Sequence, residues 1–159
     1  DNNLALELKK HFISITEVRV HYKINTIQLH KKINKIPKKS SILIDGYLVN
    51  KIRTRVTRRL NILIHHPCSM EVSENQMSNI NLYLSERKAF NAAKSLITVS
   101  KTMKKVLLKY LDGYKKICVA YPGIDKIFYK QEINKDSKNI LSVGNVIPRK
   151  GYHILIEAL

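Results

Sequence analysis

Short apolar runs recur along this chain, each followed by a longer amphipathic stretch, and that alternation restricts the fold more than any other feature. Ile42 to Asp45, Asn61 to Ile64, Leu96 to Val99, Ile117 to Ala120 and Asn139 to Val143 are strand-length and rich in Ile, Leu and Val. Runs of that length suit strands covered on both faces, and the stretches between them suit crossover helices. The expected fold class is α/β, a Rossmann-like parallel sheet with flanking helices.

The intervening segments carry helical periodicity. Leu4, Leu8 and Phe12 repeat every four residues, which predicts a helix over Asn3 to Phe12. Val18 to Tyr22 reads as a strand, and a helix over Thr26 to Ile33 stops before Pro37. Leu48, Ile52, Val56 and Leu60 predict a helix over Tyr47 to Leu60, with Lys51, Arg55, Arg58 and Arg59 on a neighbouring face. Such a face could lie on an anionic membrane, or simply be solvated beside a core stripe. Residues 68–79 are polar and read as a loop; Ala89, Ala92 and Ala93 favour a helix over Ile80 to Lys94. Ser100 can N-cap the next helix, whose Met103, Val106, Leu107, Tyr110 and Leu111 share a face, with Gly113 suited to end it. Residues 125–138 are polar and charged, as expected of a linker. After the run at Asn139 to Val143, the loop Gly144 to Gly151 leads into a helix over Tyr152 to Leu159.

Composition narrows the function classes. The chain has 159 residues, 44% hydrophobic and 26% charged, an ordinary globular balance. No apolar run approaches the ~20 residues needed to span a bilayer. Asp1, Asn2 and Asn3 are not the basic start of a secretory signal, so the cytoplasm is the expected compartment, with room for peripheral contact with a membrane. The chain does not open on Met, and an upstream segment is expected. Cys68 and Cys118 form no CxxC or zinc pattern and read as free thiols; no metal site is expected. The net charge of +17 favours anionic partners, among them nucleotides, nucleic acid and acidic membranes. Scattered lysines and only 7% aromatics count against a dedicated reader of bases, so nucleic acid is the less favoured partner.

Three stretches, in order, resemble glycosyltransferase family 4, whose members adopt the GT-B fold. They are N-I-L-I-H-H-P at 61–67, S-L-I-T-V-S-K-T-M-K-K-V-L at 95–107 continuing to I-C-V-A-Y-P-G-I-D at 117–125, and I-L-S-V-G-N-V-I-P-R-K-G-Y-H-I-L-I-E-A-L at 140–159. The resemblance implies two Rossmann-like domains facing across a cleft, with the acceptor on the N-terminal one and a nucleotide sugar on the C-terminal one. It makes residues 1–134 most of the N-terminal domain, without its first strand, and residues 135–159 the first strand, loop and helix of a truncated donor domain. The implied activity is sugar transfer from a nucleotide-sugar co-substrate, mostly with retention and without a required metal. The acceptor is undefined, and the isolated piece is expected to be inactive.

The candidate site follows from strand ends and loops. In open α/β sheets ligands sit beyond the carboxyl ends of the strands. The loop with Gly144, Asn145, Arg149, Lys150 and Gly151 follows a predicted strand and opens a helix, where free N–H groups suit a phosphate. It is not a P-loop, because Lys150 precedes its glycine and Tyr152 follows. The resemblance gives Lys150 a grip on the donor diphosphate, whereas Asn145 stands where the family usually has an arginine. Arg149 could assist or face solvent. His66, with His65 as the alternative, sits at a strand end where the family often has a histidine contacting acceptor or sugar, and is the catalytic candidate. Ser100 could line the cleft, although capping alone explains it. Glu86 and Arg87 read as a solvated pair on a helix, and Gly123 and Asp125 as a structural turn. The competing reading, from another class, is a basic polyanion- or nucleic-acid-binding α/β module.

Overall fold

The structure is a computed structural model that describes residues 8–11, 14–21, 23–52, 59–71, 76–113, 117–124 and 139–159. These fall into two compact units, Asp1–Pro37 and Lys38–Leu159. The boundary expected near residue 134 lies outside the described residues.

The first unit contains α1, Thr26–Asn34. Asn25 begins it with a capping box: its Oδ1 accepts from Gln28 N at 2.9 Å, and Gln28 Oε1 accepts from Asn25 N at 3.5 Å. Leu29 and Ile33, one turn apart, are its buried residues. Residues 8–11 are helical, and the rest of the helix expected over Asn3 to Phe12 lies outside the described residues. The strand expected at Val18 to Tyr22 is not formed over 18–21, and Tyr22 lies outside the described residues. The four described strands pair only with one another, so the β-propensity of this segment finds no ladder to join.

The second unit is built on a parallel sheet of β1 (Ile42–Asp45), β2 (Leu60–Ile64), β3 (Ser95–Thr98) and β4 (Ile117–Val119), in the spatial order β1-β2-β3-β4. Its register aligns Ile42 with Leu60, Ile62 with Leu96, and Leu96 with Ile117. With the two-residue alternation of strands, this puts Ile42, Leu60, Ile62, Ile64, Leu96, Thr98 and Ile117 on one face, and all of them are buried. Two helices bring apolar residues to the core: α2, Gln76–Ala92, carries Ala89 and Phe90, and α3, Lys101–Leu108, carries Leu107. Burying each large aliphatic or aromatic side chain contributes about 1.5–3 kcal/mol. Tyr110, just past α3, packs its ring 5.6 Å from that of Phe90.

The other face of the sheet is more open, with Leu43 and Cys118 exposed and Leu63 and Ile97 half-buried. Its strand starts are tied by polar side chains. Asn61 Nδ2 donates to Ser41 Oγ at 2.9 Å and to the Ile42 carbonyl at 3.0 Å, and Ser95 Oγ donates to Asn61 Oδ1 at 2.7 Å.

Several expected elements change on folding. The continuous helix over Tyr47 to Leu60 is not formed. A 3-10 helix covers Gly46–Lys51, Ile52 is extended at φ −114° and ψ 130°, and Leu60 already belongs to β2. Asp45 starts the tight turn, its Oδ1 accepting from Tyr47 N at 2.8 Å, and Leu60 finds a better partner in Ile42 across the sheet. The spacing of four between Leu48, Ile52, Val56 and Leu60 was therefore an accident of elements with different periods. The basic stretch 53–58 lies outside the described residues. The polar segment 68–79 is not all loop: Cys68–Met70 is a 3-10 turn and α2 already begins at Gln76. α3 ends at Leu108, before Gly113.

The strand expected at Asn139 to Val143 is absent. Residues 139–143 are irregular, with Leu141 and Val143 about as exposed as side chains get (86% and 85%). No described strand pairs with them, and an isolated β-prone run has no ladder to satisfy its backbone. The helix that follows, α4, spans Tyr152–Glu157 and buries no residue. Among the described residues no helix is long and apolar enough to cross a membrane.

Gly46 explains how the 3-10 turn can sit tightly on β2. A Cβ there would lie 3.1 Å from the Leu63 carbonyl oxygen and 3.4 Å from Ile64 Cγ1. Because the nearer neighbour is backbone, Gly46→Val forces the turn off the sheet and costs about 1–3 kcal/mol. Urea denaturation followed by circular dichroism measures this; an unchanged midpoint would show that the turn yields freely.

Candidate functional site

The carboxyl end of β2 carries the first group of candidates. His65 is exposed. The His66 side chain is only 21% exposed, and its Nε2 lies 3.4 Å from Glu71 Oε1. That approach lacks hydrogen-bond geometry, so Nε2 is a buried nitrogen with no hydrogen-bond partner. Pro67 is fully buried and leads the chain into the turn Cys68–Met70.

This turn is held from below by Glu86, which is buried on α2 at 1% exposure. Its Oε1 accepts from Cys68 N at 2.6 Å, and its Oε2 from Ser69 N at 3.2 Å and Ser69 Oγ at 2.5 Å. Ser69 Oγ also lies 2.9 Å from the Tyr110 hydroxyl. The carboxylate thus satisfies donors that a tight turn leaves unpaired, and it links the segment after the histidines to α2 and to the end of α3. The expectation of a solvated Glu86–Arg87 pair is corrected here. Arg87 pairs instead with Asp112, and Glu86 shares the buried face with Ala89, Phe90 and Ala93. A charge three, four and seven residues ahead of buried apolar positions was the signal for this role.

Burial pushes the Cys68 thiol up to about 11, with Glu86, Glu71 and Asp45 adding to the cost of a thiolate and the Glu86 hydrogen bond contributing least. The Tyr110 hydroxyl is also raised, first by burial; its Ser69 hydrogen bond opposes the shift, while Glu86 and Tyr83 add to it. Both groups are therefore held neutral, and Cys68 is poorly suited to act as a nucleophile.

At the end of β3, Ser100 is the N-cap of α3, its Oγ accepting from Met103 N at 3.0 Å. Capping accounts for its position. The order of the strands also bears on where a ligand can sit. It runs in one direction, so no two described strands flank the reversal that opens a crevice in doubly wound sheets.

The second group of candidates lies in residues 144–151. Pro148–Lys150 is a 3-10 turn, with Lys150 N donating to the Ile147 carbonyl at 2.9 Å and Gly151 N to the Pro148 carbonyl at 3.0 Å. Gly151 adopts φ 68° and ψ 22°, left-handed geometry that disfavours any Cβ, and its carbonyl then accepts from Leu155 N. A Cβ on Gly144 would meet the Tyr152 hydroxyl at 3.0 Å, so the glycine lets that ring close over the loop. Asn145 and Lys150 are exposed, and the Arg149 side chain lies outside the description. Among the described residues no group of three His, Cys, Asp or Glu side chains is arranged to hold a metal.

Comparison with known protein families, curated proteins and solved structures returns no match to this chain.

Proposed function

We propose that the chain is part of a nucleotide-sugar-dependent glycosyltransferase of the GT-B type, with its acceptor side on the parallel sheet and its donor side at residues 144–151. The supporting observation is the arrangement of the three family-4-like stretches. Two lie on consecutive strand–turn units of one parallel sheet, with His65 and His66 at a carboxyl end, and the third presents exposed Lys150 from a turn ending at left-handed Gly151. In this reading Lys150 meets the diphosphate as charge grows on the leaving group, with Asn145 and the Gly144 and Gly151 backbone beside it. His66, whose Nε2 lacks a hydrogen-bond partner, orients the acceptor hydroxyl or the transferred sugar. The enzyme works in the cytoplasm, without a metal.

Transfer assayed on the longer protein with a panel of UDP-, GDP- and ADP-sugars tests this reading. Donor-specific turnover is expected, with Lys150→Ala lowering kcat/KM by about 100-fold and His66→Ala changing kcat more than donor KM. The charge of +17 favours a second reading, a polyanion-binding module. No turnover with any donor, together with nucleic-acid binding that falls steeply with salt, would put that module in place of the transferase.

A further inference from the structure

α3 turns a well-defined face outward. At 100° per residue, Met103, Val106, Leu107 and Tyr110 point to one side of the helix, and Lys101, Lys104, Lys105, Leu108 and Lys109 to the other. Leu107 and Tyr110 are buried, whereas Leu108 is 51% exposed in the middle of the lysines. Residues 101–109 contain no acidic side chain. Tyr83 of α2 packs 4.8 Å from the Tyr110 ring and directs its hydroxyl to the Lys109 carbonyl at 3.5 Å. The acid closest in sequence to α3, Asp112, is already paired with Arg87.

We infer that the outward face of α3 docks on an anionic lipid bilayer, with Leu108 entering the headgroup layer and the α3 lysines binding lipid phosphates. An exposed aliphatic side chain ringed by lysines fits an interface that is both apolar and negatively charged. A nucleic-acid backbone would use the lysines but gain nothing from Leu108. The ring nearest along the chain to these lysines, Tyr110, is buried against Phe90 and is closed to a base. The proposal moves membrane contact away from the Tyr47 to Leu60 segment, whose continuous helix is not formed, and it does not depend on the transferase reading.

The test is flotation of the 159-residue chain with phosphatidylcholine vesicles containing 30% phosphatidylglycerol or none. Binding is expected only to the anionic vesicles. Lys101→Glu/Lys105→Glu should weaken it by at least about 30-fold. Lys38→Glu/Lys39→Glu, which removes the same charge from exposed positions before β1, should weaken it by less than about fivefold. Leu108→Gln, which leaves the charge untouched, should weaken it by about tenfold. Melting curves within a few degrees of the parent establish that the variants are folded. Equal losses from the two charge pairs, an unaffected Leu108→Gln, or absence of vesicle binding would each overturn the proposal. So would poly-uridine binding with the same α3 dependence in place of vesicle binding.

Discussion

Glu86→Ala should cost the folded chain about 3–5 kcal/mol, the sum of two orphaned buried N–H donors and the cavity left by the side chain. For a domain of this size that is a fall of roughly 10 °C in melting temperature. The affected donors are Cys68 N and Ser69 N, with Ser69 Oγ losing its acceptor as well. Glu86→Gln should fall between the two proteins. One amide oxygen can still accept, but the amide NH2 then faces a backbone N–H, and only the Ser69 hydroxyl can turn to accept from it. Thermal denaturation followed at 222 nm measures both variants. If Glu86→Ala melted within about 2 °C of the parent, the carboxylate would not be anchoring the turn after the histidines.

The second large effect is chemical. Cys68, raised to about 11, should be nearly inert to iodoacetamide at pH 8, where only about one thiol in a thousand is ionised. The higher nucleophilicity of a high-pKa thiolate recovers about a factor of ten. Cys68 should therefore react tens of times more slowly than free cysteine, and its rate should climb about tenfold per pH unit toward pH 11. Exposed Cys118 should be labelled first. Mass-spectrometric mapping of the modified peptides decides this; Cys68 labelled as fast as Cys118 would mean the turn opens readily. The same shift carries a stability consequence. Because the folded value lies above the ordinary value of 9.0, the contribution of Cys68 is fully present below pH 9 and is lost as pH rises toward 11. Tyr110, raised in the same direction, adds to that alkaline loss.

The elements that could be read from sequence were those marked by their own residues, whatever they later pair with. α1, all four strands of the sheet and the Ser100 cap come from apolar runs and capping residues that act locally, and they appear within a residue or two of expectation. The failures share one cause, dependence on a remote partner. Leu60 left its expected helix because Ile42 offered a neighbouring strand. Asn139 to Val143 has the composition of a strand, but no described strand lies beside it. Glu86 looked solvated because its partners, at Cys68 and Ser69, precede it by more than four turns of helix. For the candidate site, strand-end positions for His65 and His66 and a turn around Lys150 were legible. The buried approach of His66 to Glu71 and the closure of Tyr152 over Gly144 required coordinates, since neither pair sits at a spacing with a recognisable pattern.

The one-directional strand order has a consequence for how the sheet is made. Each strand hydrogen-bonds to the strand that precedes it in the sequence, so none has to wait for a distant segment. The paired residues still lie about 18 to 34 apart across each crossover, but chains emerge from the ribosome N-terminus first, so each strand's partner is already made. β1 can therefore serve as the template for β2, β2 for β3 and β3 for β4. The nascent chain would then expose one growing edge at a time, at the strand most recently synthesised.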